Sequence, residues 1–168
     1  MLIINRAENS TIEARCFVTN MSRDFVHIHT VVAKIATVDG DHTAYITEAE
    51  DIRSAGNPTG WQHLTRQGPL APGSMADMGT FACIVEYALN SDQKGGNLPI
   101  SSLTGLRRIE ITILGVYGTE DLLIGASREF ECKQKGNEVE ILPVEMHTKQ
   151  ITSRRQRKAL AARLLENL

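Results

Sequence analysis

Two histidines separated by one residue, His27 and His29, form the pair in this chain best spaced to serve together as metal ligands. On an extended strand residues i and i+2 share a face, with backbones about 7 Å apart. Two imidazoles so placed can share a transition metal, as in a small metal-binding protein or metal-dependent enzyme. Such a site needs a third ligand. His42, His63 and His147 complete it only if the fold brings one close, and no Glu follows at the spacing of a familiar motif. The simpler reading is a solvated pair on the polar face of a strand. On that reading the chain has no metal, no cofactor and no catalytic residue.

Other reactive patterns are incomplete. No serine stands in a G-x-S-x-G turn. Gly95-Gly96-Asn97 lacks the Lys-Ser/Thr and helix start of a phosphate loop. Asp39 and Asp41 flank Gly40 without the rest of a calcium loop, so they read as a turn. Cys16, Cys83 and Cys132 contain no C-x-x-C pair and fit small apolar core positions in a reducing compartment.

The elements that must position these groups are strands. The central stretch is Leu106–Cys132, two strands joined at Gly118–Asp121. Ile109, Ile111 and Ile113 alternate with Arg108, Glu110 and Thr112, the pattern of a half-buried strand. Leu114 and Val116 make the second face apolar, so the far end is covered on both sides. The return strand places Ile124, Ala126, Phe130 and Cys132 together. Arg128 interrupts that face, and a bulge near Gly125 turns it outward in preference to pairing it with a carboxylate such as Glu110. Upstream, Ile12–Asn20 alternates as a strand. In Phe25–Val38 the apolar register moves from Val26 and Ile28 to Val31, Ala33 and Ile35, which predicts a bulge or a crossing between sheets. Thr43–Thr47 is a short strand. Thr47 and Glu50 then form a capping box for a short helix over Glu48–Ser54, stopped by Gly56 and Pro58. A turn-rich loop anchored by Trp61 runs to Gly73. Ala76–Asn90 reads as a strand with Phe81, Cys83, Val85, Tyr87 and Leu89 inward, and Glu138–Val144 as the last strand. The expected fold is an all-β, two-sheet sandwich over residues 1–146, followed by a linker and an amphipathic helix over 147–168.

The run Asp77-Met78-Gly79-Thr80-Phe81-Ala82-Cys83 resembles the D-x-[AG]-x-Y-x-C stretch of immunoglobulin variable domains. The resemblance implies an immunoglobulin-like sandwich in which Cys83 faces an upstream cysteine, Cys16. Phe81 lacks the hydroxyl of the family's Tyr, and no Trp follows Cys16 at the family's spacing.

Composition narrows the partners. At 168 residues the chain fits one domain with a substantial core, and 42% hydrophobic with 23% charged residues is ordinary for a globular protein. A net charge of −2 and a pI near 6.2 argue against nucleic acid. No apolar run approaches the ~18 residues of a membrane span, and the start lacks the pattern of a signal peptide. A soluble, cytoplasmic protein is expected.

The tail carries the distinctive pattern. Thr152 or Ser153 caps a helix from Arg154 to about Asn167, in which Leu160, Leu164 and Leu168, with Ala161 and Leu165, make an apolar stripe. Arg154, Arg155, Arg157 and Lys158 crowd its first turns, where positive charge opposes the helix dipole at a cost of roughly a few tenths of a kcal/mol each. An isolated helix of this length is marginal, so it docks. The sandwich itself or the same helix in a second subunit comes first, an acidic protein surface next, and anionic membrane or nucleic acid last. The function expected is a non-enzymatic protein-interaction or assembly module, self-associating or docking through this helix. The alternative is the metal-binding protein or enzyme built on His27 and His29.

Overall fold

The computed structural model describes residues 1–7, 9–46, 67–91, 103, 105–117 and 122–165. Along them run β1 (Leu2–Ala7), β2 (Arg15–Asn20), β3 (Val26–Thr37), β4 (Asp41–Ile46), β5 (Gly68–Leu70) and β6 (Met75–Thr80). Helix α1 (Phe81–Ser91) follows, then β7 (Leu106–Tyr117), β8 (Leu122–Lys135), β9 (Glu138–Pro143), β10 (Lys149–Ile151) and helix α2 (Arg154–Leu165). One sheet has the order β1-β2-β6. The other has β10-β8-β7-β3-β4, with β5 added to β3 and β9 to β8. The described residues are therefore mostly β, two sheets packed together with two short helices.

The core lies on one face of the larger sheet. Ile109, Ile111 and Ile113 of β7 are fully buried there, paired with Ile35, Ala33 and Val31 of β3. Leu2, Ile4, Cys16 and Val18 of the smaller sheet join the same core, and α1 adds Phe81, Ile84, Val85 and Ala88. On the other face of β7, Leu114 is buried and Val116 half-buried where the apolar switch predicts cover, and Thr112, read as part of the polar face, is buried as well.

In β3 the register against β7 slips between Ile28 and Thr30, leaving His29 as the extra residue of a bulge. The strand stays in one sheet. Val26 and Ile28 before the bulge, and Val31, Ala33 and Ile35 after it, all reach the core. Gly115 lies opposite, where a Cβ would stand 2.5 Å from the carbonyl oxygen of His27, so only glycine lets the two backbones come this close.

Several expectations are corrected. The strand read over Ala76–Asn90 ends at Thr80, and a helix begins at Phe81. Phe81, Val85 and Leu89 recur every four residues, a spacing that fits period two and period 3.6 alike. Ile84 and Ala88, both buried, complete a helical stripe, while Cys83 and Tyr87 are only half-buried. The turn into the helix is built at Gly79, with φ of 86°, and its first amides donate outward, Phe81 N–H to Ala14 O at 3.0 Å and Ala82 N–H to Ile12 O at 2.9 Å. The stretch that resembles immunoglobulin domains thus straddles a strand–helix junction. Cys83 sits on α1 and Cys16 on β2, and no disulfide joins them.

Arg128 is not turned outward by a bulge. The β7–β8 pairing is continuous and sets Arg128 opposite Ile111. The expected linker also changes, because residues 149–151 form β10 and extend the larger sheet along β8. A strand over Leu2–Ala7, unanticipated from its short apolar patch, edges the smaller sheet. The helix expected over Glu48–Ser54 and the loop around Trp61 as far as residue 66 lie outside the described residues, while the rest of that loop, towards Gly73, contains β5.

Candidate interaction site

His27 and His29 are both exposed, their rings 5.2 Å apart and edge-on at 65°. They stand where the edge strand beside β3 is interrupted: β4 pairs with residues 31–36, and β5 resumes opposite Val26–Ile28. Gln67 Nε2 donates to the His29 carbonyl at 2.7 Å. The structure brings neither His42 nor His147 to this pair. His42 pairs with Ile35 near the far end of β3, and His147 precedes β10 on the opposite side of the sheet. His63 lies outside the described residues. Among the described residues, no group of three His, Cys, Asp or Glu side chains is placed to hold a metal.

None of the three cysteines is in a disulfide, and Cys16 and Cys132 are buried. Burial pushes the Cys132 thiol up to about 12, and Glu131 beside it acts in the same direction. A raised acid favours the protonated fold, so this contribution is complete below the ordinary thiol value of 9.0 and is lost as pH climbs towards about 12. Urea unfolding at pH 10 compared with pH 7 should show a loss of stability that Cys132→Ala lacks. An equal loss in the variant would place the cause elsewhere.

A denser set of interactions surrounds β10. The free edge of β1 is closed by side chains rather than by a strand. Leu2 N–H donates to Gln150 Oε1 at 3.1 Å, and Gln150 Nε2 donates to Leu2 O at 2.6 Å, so one amide side chain completes the ladder. Ile4 N–H donates to Thr148 Oγ1 at 3.0 Å. Arg128 Nη1 donates to Ile4 O at 2.6 Å and Asn5 Oδ1 at 2.7 Å, and Nη2 donates to Met146 O at 3.2 Å. The partners of Arg128 are thus mainly carbonyls, not the carboxylate considered from sequence. Burial lowers its pKa from the usual value, and an arginine stays charged even so. Its guanidinium ties β1 to the bend over residues 144–147 that joins β9 to β10. That bend presents Val144 (48% exposed) and Met146 (84% exposed) on either side of exposed Glu145.

Beyond β10, Ser153 caps α2. The Gln156 amide donates to Ser153 Oγ at 3.2 Å, and Ser153 Oγ donates to Gln156 Oε1 at 2.8 Å. Where the helix leaves the sheet, a cleft of about 470 Å³ opens, with Met1, Tyr117, Ile124, Ile151 and Arg157 among its walls. Arg157 is half-buried, and its Nε is out of solvent with no hydrogen-bond partner among the described residues. Arg154, Arg155 and Lys158 are exposed, and none of the four basic residues joins an ion pair among the described residues. Leu160 is half-buried and faces a second groove beside Glu110, Ser127 and Ile151, so the helix rests in part on its own sheet. Leu164 and Leu165 lie in the last turns of α2, and Leu168 falls outside the described residues.

Sequence reasoning found the basic cluster and, of the leucine stripe, Leu160, whose side chain alone among those leucines is described. It missed the bend and the edge closure, although the alternation of Thr148 and Gln150 on one face was a readable signal.

No helix among the described residues is long and apolar enough to cross a membrane. The fold and this site define a mostly β, two-sheet protein with a basic C-terminal helix docked at one sheet edge. No protein-family model, curated protein or solved structure matches the chain.

Proposed function

We propose that the chain is a non-enzymatic protein-interaction or assembly module that self-associates through its C-terminal segment. The observation that carries this reading is Arg157, half-buried in an apolar cleft with its Nε lacking a hydrogen-bond partner among the described residues, on a helix that carries three more exposed basic side chains. Basic residues at a helix start are locally unfavourable, and an uncompensated buried polar group costs about 1–3 kcal/mol. An acidic, partly apolar protein surface offsets both and covers the cleft. A cytoplasmic location fits this reading. The reading does not require an immunoglobulin-like form of the sandwich, because the recognition elements are β10 and α2.

Truncation after Thr152 keeps β10 and removes α2. It should leave the far-ultraviolet circular dichroism of the sheets in place and shift sedimentation from dimer or larger to monomer. Added salt should weaken association of the full chain, since the contacts involve exposed charges. Full-length protein sedimenting as a monomer at tens of micromolar would end the self-association reading. A metal-binding protein using His27 and His29 is the second reading, favoured by the 5.2 Å ring spacing. It ranks below the first because the described residues supply no third ligand.

A further inference from the structure

The structure holds a knob that suits the cleft. We infer that the bend Val144-Glu145-Met146 of one copy seats in the α2 cleft of a second copy, with Glu145 meeting Arg157 and Met146 entering the apolar floor. This rests on the self-association reading and names the surface that performs it.

Three observations carry the inference. The first is exposure held by structure. Met146 is 84% exposed, yet its carbonyl is fixed by Arg128 Nη2 at 3.2 Å, and the Val144 amide donates to Glu129 O at 3.0 Å. A large apolar side chain presented outward on an anchored bend loses little freedom on binding, which favours its use as a contact. The second is charge. Glu129 already pairs with Arg108 at 2.8 Å and Glu131 with Lys133 at 3.1 Å, whereas Glu145 joins no ion pair among the described residues. The exposed acid without an ion pair on the bend therefore complements the unpartnered Arg157, and it does so flanked by apolar residues, as an apolar cleft requires. The third is placement. The bend precedes β10 and the cleft follows it, so knob and socket flank the same three-residue strand on one edge. Met146 does not line the cleft of its own chain. A two-fold axis passing between knob and socket places each knob over the other copy's cleft, giving a closed dimer with two identical contacts.

The test is charge reversal read by sedimentation equilibrium on the full chain. Glu145→Arg and Arg157→Glu should each raise the dimer dissociation constant at least about tenfold, because each sets like charges face to face. The double variant should return it towards the starting value. Arg157→Gln, which removes charge without reversing it, should weaken the dimer and gain nothing from Glu145→Arg, and Met146→Ser should also weaken it. Circular dichroism of each variant separates lost association from lost folding. If the charge variants leave the dimer unchanged while truncation after Thr152 still yields monomer, the knob is not the occupant, although self-association through α2 stands. If the unaltered chain is monomeric, both fall.

Discussion

Phe81→Ala should lower the unfolding free energy by about 3–5 kcal/mol, the cost of removing a large, completely enclosed aromatic side chain. Phe81 is fully buried at the first position of α1, and its ring meets that of Phe130 on β8 edge-to-face at 4.9 Å and 67°. This contact joins the first turn of the helix to the larger sheet, so truncation opens a cavity between two elements that cannot both collapse into it. A double-mutant cycle with Phe130→Ala should return a coupling of about 0.5–1.5 kcal/mol, as aromatic pairs do. The comparison with Cys83 is decisive for the local structure. A strand would place Cys83 beside Phe81 on the core face, whereas the helix leaves it half-buried. Cys83→Ser should therefore cost roughly 1 kcal/mol or less. Equal losses at the two positions in urea unfolding would rule out the helical stripe.

Ile111→Ala should cost about 2–5 kcal/mol. Ile111 is fully buried at the centre of the larger sheet, between Ala33 on β3 and Arg128 on β8. Thr112→Ala, one residue on and facing the other way, should cost about 1 kcal/mol. Thr112 is itself only 6% exposed, so its loss will be measurable, though smaller. Similar midpoint shifts for both in thermal or urea unfolding would mean the pairing is displaced by one residue, since such a slip exchanges the two faces.

How far the chain could be read in advance depended on the range of the interaction concerned. The faces of β7 were legible because pleat geometry sets alternate residues on opposite sides, and Ile109, Ile111 and Ile113 needed only that rule. The change of register from Ile28 to Val31 was legible in the same way, but it allowed a bulge or a crossing between sheets, and pairing with β7 decides for the bulge at His29. Helix α1 was misread because Phe81, Val85 and Leu89 satisfy both periods, and the buried Ile84 and Ala88 resolve the ambiguity only when the core around them is known. Arg128 was misread for a related reason. Its main acceptors include the carbonyl of Ile4, 124 residues away in the chain, and a pattern of neighbours carries no sign of such a partner.

Local pattern is enough for the mostly β character of the described residues, the inward face of the central strand and a capped, basic helix after β10. These follow from backbone periodicity and capping chemistry, which act within a few residues. Contacts between distant segments are what make Gln150 close the edge of β1, 148 residues upstream, Arg128 hold the bend before β10, and Arg157 stand in a cleft on the same edge as the exposed Glu145-Met146 bend. Each of these depends on backbone groups and side chains that must find partners across the whole chain once water is excluded, and that choice is made by packing, not by any local spacing.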